Sequence, residues 1–264
     1  MKKDTYEAGY FEDRTPFVTF GSGDRHLLIL EDLRVEHDLP QGLALQGLRD
    51  SWKDLGDQLK ITLLSRPKSL KEGTTQKDFA LDVVTYLQAY NSGPVEILAH
   101  GISVATALEI QRWNADLISR FWFVSGTPKL SDSGRVLFEK LLEAGRRHQW
   151  SKVHRILAGT MFKSPWGKAL GGALAALFAS DLGKPENPWD FLVTLQAVMS
   201  WDPQPRELDV PMNIWVGMSD PLYQSEDWDS WLDVNPSGVL EMRDESHGLM
   251  KVMGDEIRAG ILRG

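Results

Sequence analysis

The sequence predicts an α/β fold, a mainly parallel, doubly wound sheet interrupted by an inserted helical cap. Three observations carry this. Short apolar runs of strand type alternate with segments of helical spacing from about residue 16 onward, as crossover units of a parallel sheet require. The alternation stops between Asp132 and Arg206, where only helical patterns remain, and resumes at Pro211. Finally, Val95 to Leu108 passes from strand pattern to helix pattern with no polar linker. The expected division is a core of residues 1–131 and 207–264 with a cap of residues 132–206.

In order, Phe17 to Phe20 reads as a strand before a Gly-Ser-Gly-Asp turn, and His26 to Leu30 as a buried strand ending at Glu31-Asp32-Leu33. Leu45, Leu48, Trp52, Leu55 and Leu59 share a helical face, and Ile61 to Leu64 is the next strand. After the polar loop Ser65-Arg66-Pro67, the spacing of Phe79, Val83, Leu87 and Tyr90 predicts an amphipathic helix stopped by Gly93-Pro94. Phe121 to Val124 is a further strand. The cap is read as helices over Val136–Arg147, Val153–Phe162, Lys168–Phe178 and Trp189–Ser200. Pro211 to Gly217 and Val239 to Met242 close the strand series, and a last helix carries Ile257 and Ile261.

Composition narrows the function. With 42% hydrophobic and 25% charged residues the chain reads as an ordinary globular protein, and a net charge of −8 without a basic stripe argues against nucleic acid. The absence of cysteine removes thiolate catalysis, disulfides and Cys-ligated zinc. The first residues lack the apolar core of a signal peptide, and Ala169 to Ala179 is too short to span a bilayer, so a cytoplasmic protein without membrane contact is expected. No pair among His26, His37, His148 and His154 has metal-ligand context, so no metal or other cofactor is expected. Oligomeric state has no signature.

Four stretches together resemble the α/β-hydrolase superfamily over about residues 16 to 263. Leu27 to Leu33 is similar to the strand ending in a His-Gly oxyanion turn, and Val95 to Leu108 to the nucleophile elbow. Pro211 to Asp220 resembles the strand delivering the acid, and Ser246-His247 the loop delivering the base. The resemblance implies that Asp220 orients His247 and that His247 moves protons. Two stretches depart from the pattern. Glu31-Asp32 stands where the family has His-Gly, which puts a carboxylate beside the Leu33 N–H that would hold an oxyanion.

The elbow has two registers. In the first, Gly101 is at the tip, the flanking elements fit without adjustment, and no nucleophile is supplied. In the second, Gly101-Ile102-Ser103-Val104-Ala105 matches Gly-x-Ser-x-Ala, and Ser103, Asp220 and His247 form a triad with Ile102 and Leu33 N–H groups as the oxyanion hole. Met161, Phe162, Trp166, Leu174, Phe178, Phe191, Leu195 and Met199 are candidate walls of a pocket for a small apolar or aromatic ligand. The resemblance thus implies a serine hydrolase of an ester or related carbonyl. The alternatives are a non-hydrolytic His-Asp enzyme of lyase or cofactor-free oxygenase type, and an inactive ligand-binding protein.

Overall fold

The structure, a computed structural model, describes residues 6–91, 93–164, 167 and 184–264. Eight strands form one sheet: β1 (Tyr6–Phe11), β2 (Thr15–Phe20), β3 (Arg25–Leu30), β4 (Leu59–Leu64), β5 (Val95–His100), β6 (Ile118–Val124), β7 (Met212–Gly217) and β8 (Val239–Arg243). Their order is β1-β2-β4-β3-β5-β6-β7-β8. β2 runs antiparallel to β1 and β4, and every other neighbouring pair is parallel.

Helices cover both faces, which is why the central strands are apolar along almost their whole length. Successive strand residues point to opposite faces. Leu28 and Leu30 therefore pack with Val83, Leu87, Val104 and Leu108 of α2 (Gln76–Tyr90) and α3 (Ser103–Asn114). Leu27 and Ile29 pack on the other face with Trp52 of α1 (Gly42–Trp52) and Ile257 and Ile261 of the last helix, Leu249–Arg263. α2 starts on a reciprocal cap: Thr75 accepts from the Asp78 N–H while Asp78 accepts from the Thr75 N–H.

Between β6 and β7 lie α4 (Asp132–Arg146), α5 (Trp150–Thr160) and α6 (Pro188–Met199); α7 (Asp229–Val234) follows β7 and α8 is Leu249–Arg263. Phe138, Leu141, Trp150, Val153, Phe191 and Leu195 of α4 to α6 form one apolar cluster, which also takes in Ile102, Leu222 and Tyr223. The helical block thus rests on the strand-to-helix turn after β5.

Two sequence expectations change. β1 was not anticipated: it is an exposed edge strand, joined to β2 by a turn in which Glu12 (φ 49°) and Asp13 (φ 57°) are both left-handed without glycine. Leu59 begins β4 rather than ending the helix before it, because a short 3-10 turn, Lys53–Leu55, separates the two. The helix expected over Lys168–Phe178, with Trp166, Leu174 and Phe178, lies outside the described residues. Among the described residues no helix is long and apolar enough to cross a membrane.

Candidate active site

Strand register brings the two unusual stretches of the sequence together. In the parallel pair of β3 and β5, Leu30 lies opposite Ala99. Asp32 and Gly101 each follow two residues later, at the carboxyl ends where the sheet order reverses and a crevice opens. Gly101 turns the chain with φ 55°, and its N–H donates to the Val124 carbonyl at 2.9 Å. The tip of the turn is therefore Gly101, as in the first register. A Cβ built there would lie 1.9 Å from Asp32 Oδ1 and 2.4 Å from Asp32 Cγ. The Asp32 carboxylate fills the space in which a side chain at position 101 would stand.

The same carboxylate takes the backbone donors. Ile102 N–H donates to Asp32 Oδ1 at 3.1 Å, and the nearby Leu33 N–H further favours the carboxylate. On its other side Asp32 Oδ2 lies 2.7 Å from His247 Nε2, while His247 Nδ1 lies 2.8 Å from Asp220 Oδ2. Each ring nitrogen faces a carboxylate, so both carry a proton and the ring is an imidazolium between two anions. Burial lowers the His247 pKa, but Asp32 and Asp220 outweigh it and push it up to about 10. Burial likewise raises Asp32, yet the neighbouring His247 and His100 and the hydrogen bonds from His247 and Leu33 hold it well below the usual carboxylate range. The Asp32 side chain is 20% exposed, against 2% for His247 and 0% for Asp220, so Asp32 is the solvent-facing member of the three.

Neither a family model nor a curated protein sequence matches the chain. Solved structures do. The enol-lactonase from Burkholderia xenovorans LB400 superposes with a TM-score of 0.77 at 11% identity, covering 97% of this chain and 98% of that one. The esterase EaEST from Exiguobacterium antarcticum gives 0.74 at 12% identity over 99% and 98% of the two chains. The epoxide hydrolase CorEH gives 0.67 at 14% identity over 99% and 98%. The chain has the α/β-hydrolase fold. Within that fold Asp220 and His247 stand on the loops after β7 and β8, as the sequence pattern implies, and are hydrogen-bonded to one another.

The triad with Ser103 is not formed. Ser103 opens α3 instead of the turn, and its hydroxyl donates to the Glu31 carbonyl while accepting from Arg66 at 2.7 Å. His247 Nε2 meets Asp32 in its place. The physical reason is the two-residue offset: on α3 the serine faces the β3 loop, which it anchors. Arg66 completes that anchor by donating to the carbonyls of Asp32 at 2.9 Å and Glu31 at 3.0 Å. Burial lowers the Arg66 pKa to about 10, partly offset by Asp32 and Glu31, so it stays cationic at neutral pH. The Glu31 carboxylate turns away to Ser65 and Arg34.

Sequence reasoning passed over three residues of this α/β-hydrolase-fold site. Arg66 stands in the polar loop after β4. His100, just before the tip, stacks beside His247 with ring centroids 5.8 Å apart, and its buried Nε2 has no hydrogen-bond partner among the described residues. Tyr223, three residues past Asp220, is buried with its ring 5.8 Å from that of His247 and its hydroxyl unpartnered among the described residues. Burial, followed by the charges of Asp32 and Asp220, raises the Tyr223 pKa well above its ordinary value, keeping it a neutral donor. For His100 and Tyr223 the available signal was position, beside Gly101 and just past Asp220; Arg66, in the loop after β4, carried no such signal.

Proposed function

We infer that Asp32, rather than a serine, is the attacking group of a hydrolase site. The single observation that carries this is the Asp32 carboxylate occupying the volume of the missing side chain at Gly101, with the elbow N–H of Ile102 bonded to it. A carboxylate of depressed pKa is anionic at neutral pH and suited to attack a saturated carbon. The neighbouring imidazolium is suited to protonate what leaves. Both demands are met by an epoxide.

Asp32 Oδ2 attacks an epoxide carbon, the carbon–oxygen bond breaks, and the alkoxide takes the Nε2 proton of His247, with the neutral Tyr223 hydroxyl as a second donor. The product is a hydroxyalkyl ester on Asp32. Esterification removes the Asp32 charge that kept His247 protonated, so the ring is now a base, oriented by Asp220. His247 takes a proton from water, hydroxide attacks Asp32 Cγ, and the Ile102 and Leu33 N–H groups hold the oxyanion at Oδ1. Collapse releases a diol and restores the carboxylate and imidazolium.

Esters suit the arrangement less well. Carboxylate attack on an acyl carbon gives an anhydride, and the N–H groups that would receive the acyl oxygen already bind Asp32. A cleft of about 240 Å³ opens on Asp32 and His100, with Leu48, Trp52, Leu98 and Met250 beside the charged Glu31 and Arg34, and suits a substrate with an apolar body. The helices between β6 and β7 would cap the other side. The epoxide hydrolase among the structural neighbours supports the reading by likeness of fold only.

Small apolar epoxides such as styrene oxide should be hydrolysed, and Asp32→Asn should lower kcat/KM by about 10³ or more. In His247→Gln the ester should persist and appear as a mass increment on the peptide bearing Asp32. Turnover surviving in Asp32→Asn, or no epoxide hydrolysed by the wild type, would overturn this function.

A further inference from the structure

Asp32, His100 and His247 each offer one ligand atom, and these atoms lie within 4.8 Å of one another. Two imidazoles and one carboxylate are the donor set that borderline divalent ions such as zinc, cobalt and iron take with positions left open. The cluster is pre-oriented for such an ion. Asp220 engages His247 Nδ1 at 2.8 Å and so presents Nε2 to the cluster, the carboxylate–histidine arrangement that supports a metal ligand. The Ile102 N–H holds Asp32 Oδ1, leaving Oδ2 directed at His247.

His100 supplies an independent observation. It is a half-buried imidazole whose Nε2 atom is itself buried and has no hydrogen-bond partner among the described residues, a state that costs free energy unless something else satisfies it. Asp32 Oδ2 and His247 Nε2 stand 2.7 Å apart, and parting to about 3.4 Å would place both about 2.1 Å from one tetrahedral ion. Glycine at position 101 keeps a side chain out of the Asp32 position.

We propose that Asp32, His100 and His247 bind one divalent transition-metal ion of the zinc or cobalt type. The ion replaces the proton shared by Asp32 Oδ2 and His247 Nε2, and that proton passes to solvent. Because epoxide opening would use the same two atoms, the ion and turnover compete; this second clause alone rests on the function proposed above.

The test uses the full chain, freed of metal by a chelator, with no substrate present. Calorimetric titration with Zn²⁺ should give one site per chain, and Co²⁺ should give the visible absorption of a low-coordinate nitrogen and oxygen site. His100→Ala should weaken binding at least tenfold, as should His100→Gln if the alanine variant folds poorly. Asp220→Asn should weaken it about 10- to 100-fold through the orientation of His247. Wild-type affinity in a folded His100 variant, or no stoichiometric site, would overturn the proposal. Zinc binding without any epoxide turnover would sink the function and leave the site standing; turnover unaffected at saturating Zn²⁺ would sink the competition.

Discussion

At the scale of single residues, the site rests on one exchange. The Asp32 side chain and a side chain at position 101 cannot coexist, since a Cβ at Gly101 would overlap the carboxylate. Gly101→Ser alone should therefore cost stability and displace Asp32. Combined with Asp32→Gly, the introduced serine gains the vacated volume, the two N–H donors and His247. The double variant should react with a fluorophosphonate probe while both single variants do not, and its stability should exceed the sum of the single effects, as contacting residues couple. Equal labelling of the Gly101→Ser single variant would show that the carboxylate does not hold that space. Tyr223→Phe should keep the fold and lower kcat on epoxides about tenfold by removing one donor to the developing alkoxide; unchanged kcat would take Tyr223 out of the mechanism. Both halves of the exchange were visible in the sequence as departures from the family pattern. That they are one feature was not, because it depends on Leu30 pairing with Ala99 across two strands far apart in the chain.

At the scale of elements, the loop after β3 is fixed from two sides, by Arg66 after β4 and by Ser103 on α3. Ser103→Ala should cost about 1 kcal/mol in urea unfolding, because the Glu31 carbonyl keeps its bond from Arg66, and should leave turnover nearly intact. Loss of activity with retained fold in that variant would return Ser103 to a catalytic role. Arg66→Met should be worse on both counts, costing about 3 kcal/mol, since two loop carbonyls lose their donor. The literal Gly-x-Ser-x-Ala match concealed this role of Ser103: a motif fixes spacing along the chain, whereas the turn is fixed by where β5 stops pairing with β6. The unforeseen β1 hairpin has a similar cause. Its strand is exposed and its left-handed Glu12-Asp13 turn carries none of the usual glycine or asparagine signals.

At the scale of the whole molecule, the alternation of strands and helices made the sheet legible before its order was known, because buried parallel strands must be apolar throughout. Strand order and the meeting of four loops at one end of the sheet follow only from the crossover geometry. The same global packing sets a pH limit on stability. His37 is buried, with its Nδ1–H donating to the Pro67 carbonyl at 3.0 Å and the Thr194 hydroxyl of α6 3.4 Å from Nε2. Burial, with the Arg66 charge, lowers its pKa from 6.5 to about 3. The unfolded chain therefore binds this proton more readily, so the stabilisation is complete above about pH 6.5 and is lost as pH falls toward 3. The urea midpoint should fall over that window, and less steeply in His37→Gln; parallel pH profiles would rule His37 out as a cause.

The central proposal is that the Asp32 carboxylate is the attacking group. The measurement that tests it most directly is a single turnover of styrene oxide by excess protein in H₂¹⁸O, followed by mass spectrometry of the peptide carrying Asp32. An ester intermediate cleaved at Cγ predicts ¹⁸O in the Asp32 carboxylate and none in the first diol released. An unlabelled Asp32, with ¹⁸O in that diol, would contradict it.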